Sequence, residues 1–386
     1  MKNTVKENAN ETIMIIAGEV SGDLIGASLI EEMKKLDEDL SFCGVGGNRM
    51  MEAGMDVIYH IERLAFLGFT EILKHIPFIK KVQSELLMVV ADRKVKKVVL
   101  IDYPGFNLNF AKKIKTTGIK IIYYVSPQIW AWGLRRINKI KKLVDKMLLV
   151  FPFEEKLYKE KNIDVEFVGH PLAERIDEEL FLSRDEFFQK FGLDKAREIL
   201  LLMPGSRKNE IEKLFPQMLK AASKLADKFD LQIVVACSSN IENTFFSKIS
   251  DSSDIFIIKD HVYELMNFAK LGIIKSGTST LEAAYFSLPM VIVYKTSWIT
   301  YRIGKRLLKV DNIGMANIIL EDNVVPELIQ NNASEEKIFE NGLKILNDTE
   351  YRNSIKSKLS EVKKKLGGPG ASARAAKIIY ELTNES

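Results

Sequence analysis

Short, unbroken apolar runs alternate along this chain with stretches in which apolar residues recur every three or four positions. In the first half the runs are Ile13–Ala17, Leu40–Val45, Val98–Ile101, Lys120–Val125, Met147–Val150 and Glu166–Val168. In the second half they are Ile199–Met203, Gln232–Ala236, Ile255–Ile258, Leu271–Ile274 and Met290–Tyr294. Continuous Val/Ile/Leu runs suit parallel strands covered on both faces, and the periodic stretches suit helices. Their alternation predicts doubly wound α/β sheets. Ligands in such sheets sit at the carboxyl ends of strands, so the residues just after each run carry the candidate chemistry.

Two of these junctions are alike. Ile13–Ala17 runs into Gly18-Glu19-Val20-Ser21-Gly22-Asp23, and Leu271–Ile274 leads to Ser276-Gly277-Thr278-Ser279-Thr280-Leu281-Glu282. A strand turning sharply into a helix leaves backbone N–H groups free to receive an anion. One such loop in each half predicts two nucleotide-type domains facing a cleft. Their boundary is expected near Gly169-His170-Pro171, giving domains 1–170 and 171–365. A second breaker, Leu366-Gly367-Gly368-Pro369-Gly370, precedes a final helix within 366–386 that is expected to cross back to the first domain. This layout resembles the GT-B arrangement of two Rossmann-like domains.

The residues after the runs supply the candidate chemistry. In the second loop, Glu282 lies about one helical turn past Thr278, where it could hold a ribose diol while the Ser276–Thr280 amides hold a diphosphate. Pro204-Gly205-Ser206-Arg207 follows Met203, and the Arg207 guanidinium suits forked bonds to phosphate, although an arginine beside a turn is often only a surface charge. Asp102 follows Val98–Ile101 and precedes Tyr103-Pro104-Gly105; it is a candidate general base or else a stabiliser of its own turn. Glu19 and Asp23 flank Ser21-Gly22; their charge disfavours phosphate and suits sugar hydroxyls, with helix capping the alternative for Asp23. The loop after Tyr124 carries Ser126, Gln128 and Trp130, which could meet a sugar or belong to the core.

Charge and composition narrow the partners. Net charge is only +4, with 46% hydrophobic and 28% charged residues, which describes a globular chain and gives no general affinity for nucleic acid. Basic character is local: Leu134–Lys146 reads as a basic amphipathic helix with Ile137, Ile140, Val144 and Met147 on one face. The stretch from Leu64 to Lys81 is aromatic-rich, broken by Gly68 and Pro77 and flanked by lysines. Its Leu64, Phe66, Leu67, Phe69, Ile72, Ile76 and Phe78 line either a core helix pair or a bilayer contact. No run reaches the length of a membrane span, and Met1–Glu11 has no apolar core of a signal peptide, so a cytoplasmic protein is expected. Cys43 and Cys237 are far apart and read as buried thiols, and the four histidines show no ligand spacing, so no metal or cofactor is expected.

Taken in order, these motifs resemble the lipid-A-disaccharide synthase family. The matching segments are Ala17–Asp23, Asp102–Asn107, Tyr124–Trp132, Phe151-Pro152-Phe153-Glu154, Val168–Pro171, Pro204–Arg207, Ser276–Glu282 and Gly370-Ala371-Ser372 with Arg374-Ala375-Ala376. One departure is Ala316 ahead of Asn317, where the family carries proline. The resemblance implies an inverting, metal-independent GT-B enzyme. Its donor would be UDP-2,3-diacylglucosamine and its acceptor 2,3-diacylglucosamine 1-phosphate, met at an anionic membrane surface on the inner face of the inner membrane. It further implies Asp102 as base, Arg207 and the second loop as holders of the departing UDP, and Glu19 and Asn317 as residues orienting the sugars. The rival readings are a UDP-N-acetylglucosamine 2-epimerase of the same architecture and a non-enzymatic sugar-binding protein.

Overall fold

The computed structural model describes residues 11–64, 75–132, 136–176, 180–238, 241–249, 255–296 and 312–382. The chain divides into two compact units, Met1–Glu174 with Gly367–Ser386, and Arg175–Leu366.

The first unit is built on a seven-stranded sheet in the order β3-β2-β1-β4-β5-β6-β7, and every pair is parallel. Its strands are β1 (Thr12–Ala17), β2 (Ser41–Gly46), β3 (Asp56–His60), β4 (Lys97–Ile101), β5 (Lys120–Tyr124), β6 (Lys146–Leu149) and β7 (Val165–Phe167). Central β1 and β4 are buried almost throughout, as strands with helices on both faces must be. The second unit carries six parallel strands in the order β10-β9-β8-β11-β12-β13: β8 (Glu198–Met203), β9 (Leu231–Ala236), β10 (Ile255–Ile258), β11 (Ala269–Lys275), β12 (Met290–Tyr294) and β13 (Glu327–Ile329). Each sheet reverses its strand order once, between β1 and β4 and between β8 and β11, and a doubly wound sheet opens a crevice at that point.

Eleven of the thirteen strands are the apolar runs read from sequence; β3 and β13 are not. Both lie at sheet edges, where Asp56-Val57-Ile58-Tyr59-His60 and Glu327-Leu328-Ile329 mix polar and apolar residues because one side meets solvent. The basic stretch at 134–146 is also shorter than expected. The helix covers only Ile137–Leu143, and Met147 belongs to β6, where it is fully buried.

The terminal helix Ala371–Glu381 packs within the first unit against the helix Val20–Leu36. Lys97, at the start of β4, is buried and donates from Nζ to the Ile379 carbonyl at 2.9 Å, with Glu11 at 3.8 Å. Burial pushes its ammonium down to about 8, partly offset by Glu11. At the other end of this helix Glu174 accepts from the Ser372 amide (2.6 Å) and hydroxyl (2.7 Å), and Arg374 donates to the Val168 carbonyl (2.7 Å). Among the described residues no helix is long and apolar enough to cross a membrane.

Candidate active site

In the first unit the site forms at the β1/β4 reversal. Asp102 ends β4 and, like its successor Tyr103, has left-handed backbone (φ 44° and 45°), which is uncommon for residues other than glycine. The conformation is fixed from several sides. The Asp102 amide donates to the Tyr124 carbonyl (3.2 Å), and its own carbonyl accepts from Asn107 Nδ2 (2.8 Å) and the Tyr123 hydroxyl. Strained backbone held by surrounding bonds is a frequent mark of a working site. The Tyr103 ring lies over Gly18, where any Cβ would fall 2.2 Å from it, so glycine is required by close approach. Burial, and then the neighbouring Glu19 carboxylate, push the Asp102 carboxyl up to about 6. Glu19 is exposed and lines a small cavity of about 270 Å³ with Gly18, Asn48, Arg49 and His60.

Other residues singled out from sequence in this unit do supporting work. Asp23 is buried, with Oδ1 accepting from the Gly47 (2.6 Å) and Met50 (3.1 Å) amides and Oδ2 from Arg49 (3.1 Å). It therefore caps the start of the helix Asn48–Glu52 while also lining the same cavity as Glu19. Gly22 is packed against Ala17 and Ile101, while Ser21 is exposed and lies outside the cavity lining. Ser126 is buried and gives its hydroxyl to Glu154 Oε1, which also accepts from Trp130 Nε1 at 3.1 Å. Those two polar groups are thus spent on a carboxyl, and Gln128 alone of the three is exposed. Leu64 belongs to the core, Phe78 packs edge-on against Tyr59 at 6.0 Å, and Ile76 is exposed. Phe66, Leu67, Phe69 and Ile72 lie outside the described residues.

In the second unit a cavity of about 480 Å³ opens at the carboxyl ends of β8, β9, β10 and β11. Gly205, Ser206, Arg207, Gly277, Thr278, Ser279 and Glu282 all line it, as expected from the two loops. Gly205 needs its freedom: its φ is +121°, and a Cβ would stand 2.8 Å from Glu210 Oε2. The helix Thr278–Tyr285 begins at the exposed Gly277, and its first-turn amides at Thr278 and Ser279 have no carbonyl one turn earlier to bond. Ser276 and Thr280 are different. The Ser276 amide and hydroxyl go to the Val293 (2.9 Å) and Ile313 (3.1 Å) carbonyls; the Thr280 amide (3.1 Å) and hydroxyl (2.7 Å) both go to the Gly277 carbonyl. Both shape the loop and neither lines the cavity.

Glu282 Oε1 accepts from the Tyr263 hydroxyl (3.3 Å), with Arg175 at 3.8 Å, and burial raises its carboxyl above the usual range. Arg207 is well exposed, 3.5 Å from Glu210 Oε1, the same oxygen that Lys275 approaches at 3.1 Å. Sequence reasoning passed over Lys275, Glu210 and Asp260. Lys275 and Asp260 stand at or just past the ends of β11 and β10, so the strand-end rule alone would have found both.

Asn317 lines neither cavity. It is fully buried, its Nδ2 donating to the Val325 carbonyl (2.9 Å) and Glu327 Oε1 (2.8 Å) while its Oδ1 accepts from the Val325 amide (3.0 Å). Glu327 in turn accepts from the Ile313 (2.7 Å) and Gly314 (3.0 Å) amides. Both Nδ2 hydrogens and one lone pair of Oδ1 are thus held inside this network. Among the described residues no three His, Cys, Asp or Glu side chains are grouped to hold a metal.

Two parallel doubly wound units, a strand-end carboxylate in one and a cation-bearing, amide-rimmed cavity in the other, define a two-unit α/β chain of GT-B architecture. Solved structures agree on the fold. The UDP-GlcNAc 2-epimerase from Neisseria meningitidis bound to UDP-GlcNAc superposes with a TM-score of 0.64 at 14% identity, covering 97% of this chain and all of that one. The glycotransferase of kitacinnamycin gives 0.65 at 11% identity, with 96% and 98% covered. Sequence comparison then settles the family: the lipid-A-disaccharide synthetase family pattern matches residues 13–380, and the chain belongs to that family. Lipid-A-disaccharide synthase from Geobacter sulfurreducens is 42% identical over 379 residues, covering 97% of this chain and 98% of its own. That from Coxiella burnetii (strain CbuG_Q212) is 40% identical over 377 residues, covering 97% and 99%.

Proposed function

We propose that this enzyme transfers 2,3-diacylglucosamine from its UDP derivative to the 6-hydroxyl of 2,3-diacylglucosamine 1-phosphate, with inversion, giving a β-1,6 disaccharide 1-phosphate and UDP. The observation that carries the reading is Asp102, a carboxyl held in strained backbone with its proton affinity raised by burial and by Glu19. The carboxylate takes the proton of the acceptor hydroxyl as the oxygen bonds to the anomeric carbon and the bond to the UDP oxygen breaks. Glu19, exposed at the cavity beside it, orients acceptor hydroxyls. In the second unit Arg207, Lys275 and the Thr278 and Ser279 amides meet the diphosphate as its charge grows, and Glu282 accepts from the ribose diol. No metal enters this scheme, so EDTA should leave turnover unchanged, and a requirement for magnesium would overturn that part.

The direct test incubates the protein with the two diacylated sugars and looks by mass for the disaccharide. No product from folded protein would remove the proposal. Glu282→Ala should weaken UDP binding by about tenfold, the scale of one or two lost hydrogen bonds, with the fold intact. Calorimetry showing unchanged affinity would reject the ribose assignment.

Diacylated substrates reside in a bilayer, and peripheral, reversible contact with an anionic surface on the cytoplasmic face completes the proposal. Lys112, Lys113, Arg136 and Lys139 supply positive charge on two neighbouring helices, Pro104–Ile114 and Ile137–Leu143. Co-sedimentation with anionic vesicles should fall as salt rises, because each basic residue adds only about 1 kcal/mol at the surface and salt screens it. Salt-independent sedimentation would contradict an electrostatic contact.

A further inference from the structure

Glu154 is the second residue of the helix Phe153–Lys159 after β6, two strands away from β4 and Asp102. Its side chain is buried, yet its hydrogen bonds are lopsided. Oε1 accepts from both Ser126 and Trp130, while Oε2, equally buried, has no hydrogen-bond partner among the described residues. No lysine or arginine among the described residues forms an ion pair with it. Its donor Trp130 begins a run of rings: Trp130 sits edge-on to Phe153 at 5.3 Å, Phe153 stacks on Phe151 at 5.5 Å, and Phe151 meets His170 at 5.0 Å.

The loop it touches is under strain. Val125, directly before Ser126, has φ 63°, a genuine outlier for a β-branched residue. The helix Phe153–Lys159 fastens that loop at three points: Ser126 and Trp130 through Glu154, and the Pro127 carbonyl through the Tyr158 hydroxyl at 3.4 Å.

We propose that Glu154 is a positioning residue that works as the neutral acid, bracing the Ser126–Trp130 loop beside Asp102 and loosening it on ionisation. A carboxylic acid leaves Oε1 to accept from Ser126 and Trp130 and puts a neutral O–H, rather than a full charge, on the unpartnered Oε2, the smaller of the two burial costs. An anion there would leave Oε2 charged, buried and without a hydrogen-bond donor among the described residues. Of the titratable groups facing it, Asp102 from the end of β4 is of like sign and Tyr158 on its own helix is a neutral phenol, so neither supports a charge there. Burial pushes the Glu154 carboxyl up to about 8, against about 6 for Asp102. Between those values the base is ionised and its neighbour is not.

The activity readout rests on Asp102 being the base, but the spectroscopic one does not. Tryptophan emission of the full chain, with Trp130→Phe identifying the relevant signal, should show a transition near pH 8 that is absent from Glu154→Gln. Glutamine keeps an acceptor for Ser126 and Trp130, so turnover at neutral pH should stay within about threefold of wild type while the alkaline fall in activity moves upward. Glu154→Ala, which removes the brace, should lower kcat with UDP affinity unchanged. A Glu154→Gln enzyme as impaired as Glu154→Ala would mean that a carboxylate is required and would overturn the proposal. So would emission that is flat between about pH 7 and 9. If neither diacylated sugar is turned over, the emission titration alone decides.

Discussion

Replacing Asp102 with asparagine should cost about 10²–10⁴-fold in turnover while leaving the fold and UDP affinity unchanged. Asparagine is nearly the same shape and among the residues most tolerant of left-handed backbone, so φ 44° should persist. The Asp102 amide donates to Tyr124 and its carbonyl accepts from Asn107 and Tyr123, and the one backbone bond to the carboxylate, from the Tyr103 amide, can be accepted by an asparagine oxygen. What disappears is the proton acceptor. In the unmodified enzyme activity should fall as pH drops through about 6, because the carboxyl takes up its proton there and a protonated acid cannot deprotonate the acceptor. Steady-state rates across pH, with calorimetry of UDP on both proteins, test this. Near-normal turnover of the asparagine variant would remove Asp102 as base.

Asn317→Ala should be the most destabilising of the changes considered, at about 2–4 kcal/mol, with turnover per folded molecule largely kept. The substitution strips partners from the Val325 amide and carbonyl and from Glu327 Oε1, in a place no water reaches. Glu327 is half-buried, its carboxyl raised by that burial and steadied by Ile313, Gly314 and Asn317. Ile313 also holds the Ser276 hydroxyl, so the network reaches back to the end of β11. Urea denaturation gives the stability change. A fully folded, stable Asn317→Ala protein that had lost turnover would return this residue to the chemistry and refute the structural role.

The strands were legible because β1, β4, β8 and β11 are buried on both faces and cannot afford a polar interruption. β3 and β13 were hidden because edges relax that demand. The strand-end rule put Asp102 at the β1/β4 reversal and Arg207 and Glu282 on the lining of the second unit's cavity for a similar local reason: a doubly wound sheet opens its crevices next to its most recognisable segments. Partnerships across the chain were another matter. Nothing near Asp23 in sequence reveals that the Gly47, Arg49 and Met50 amides, more than twenty residues away, donate to its two oxygens. Glu154 and Ser126 sit in separate motifs, and nothing local reveals that one serves the other. Lys97 reads as an exposed lysine at a strand start, and only the terminal helix explains its burial.

That terminal helix has a consequence for how the protein is made. The acceptor for the Lys97 ammonium is the Ile379 carbonyl, and the helix Ala371–Glu381 covers the helix Val20–Leu36. Both belong to a unit whose remaining residues end at Glu174, with the whole of Arg175–Leu366 intervening. On the ribosome the first sheet therefore emerges long before its last helix, with a buried-to-be lysine and an apolar helix face waiting. The second unit, contiguous in sequence, can close as it emerges, whereas the unit begun first is the one finished last.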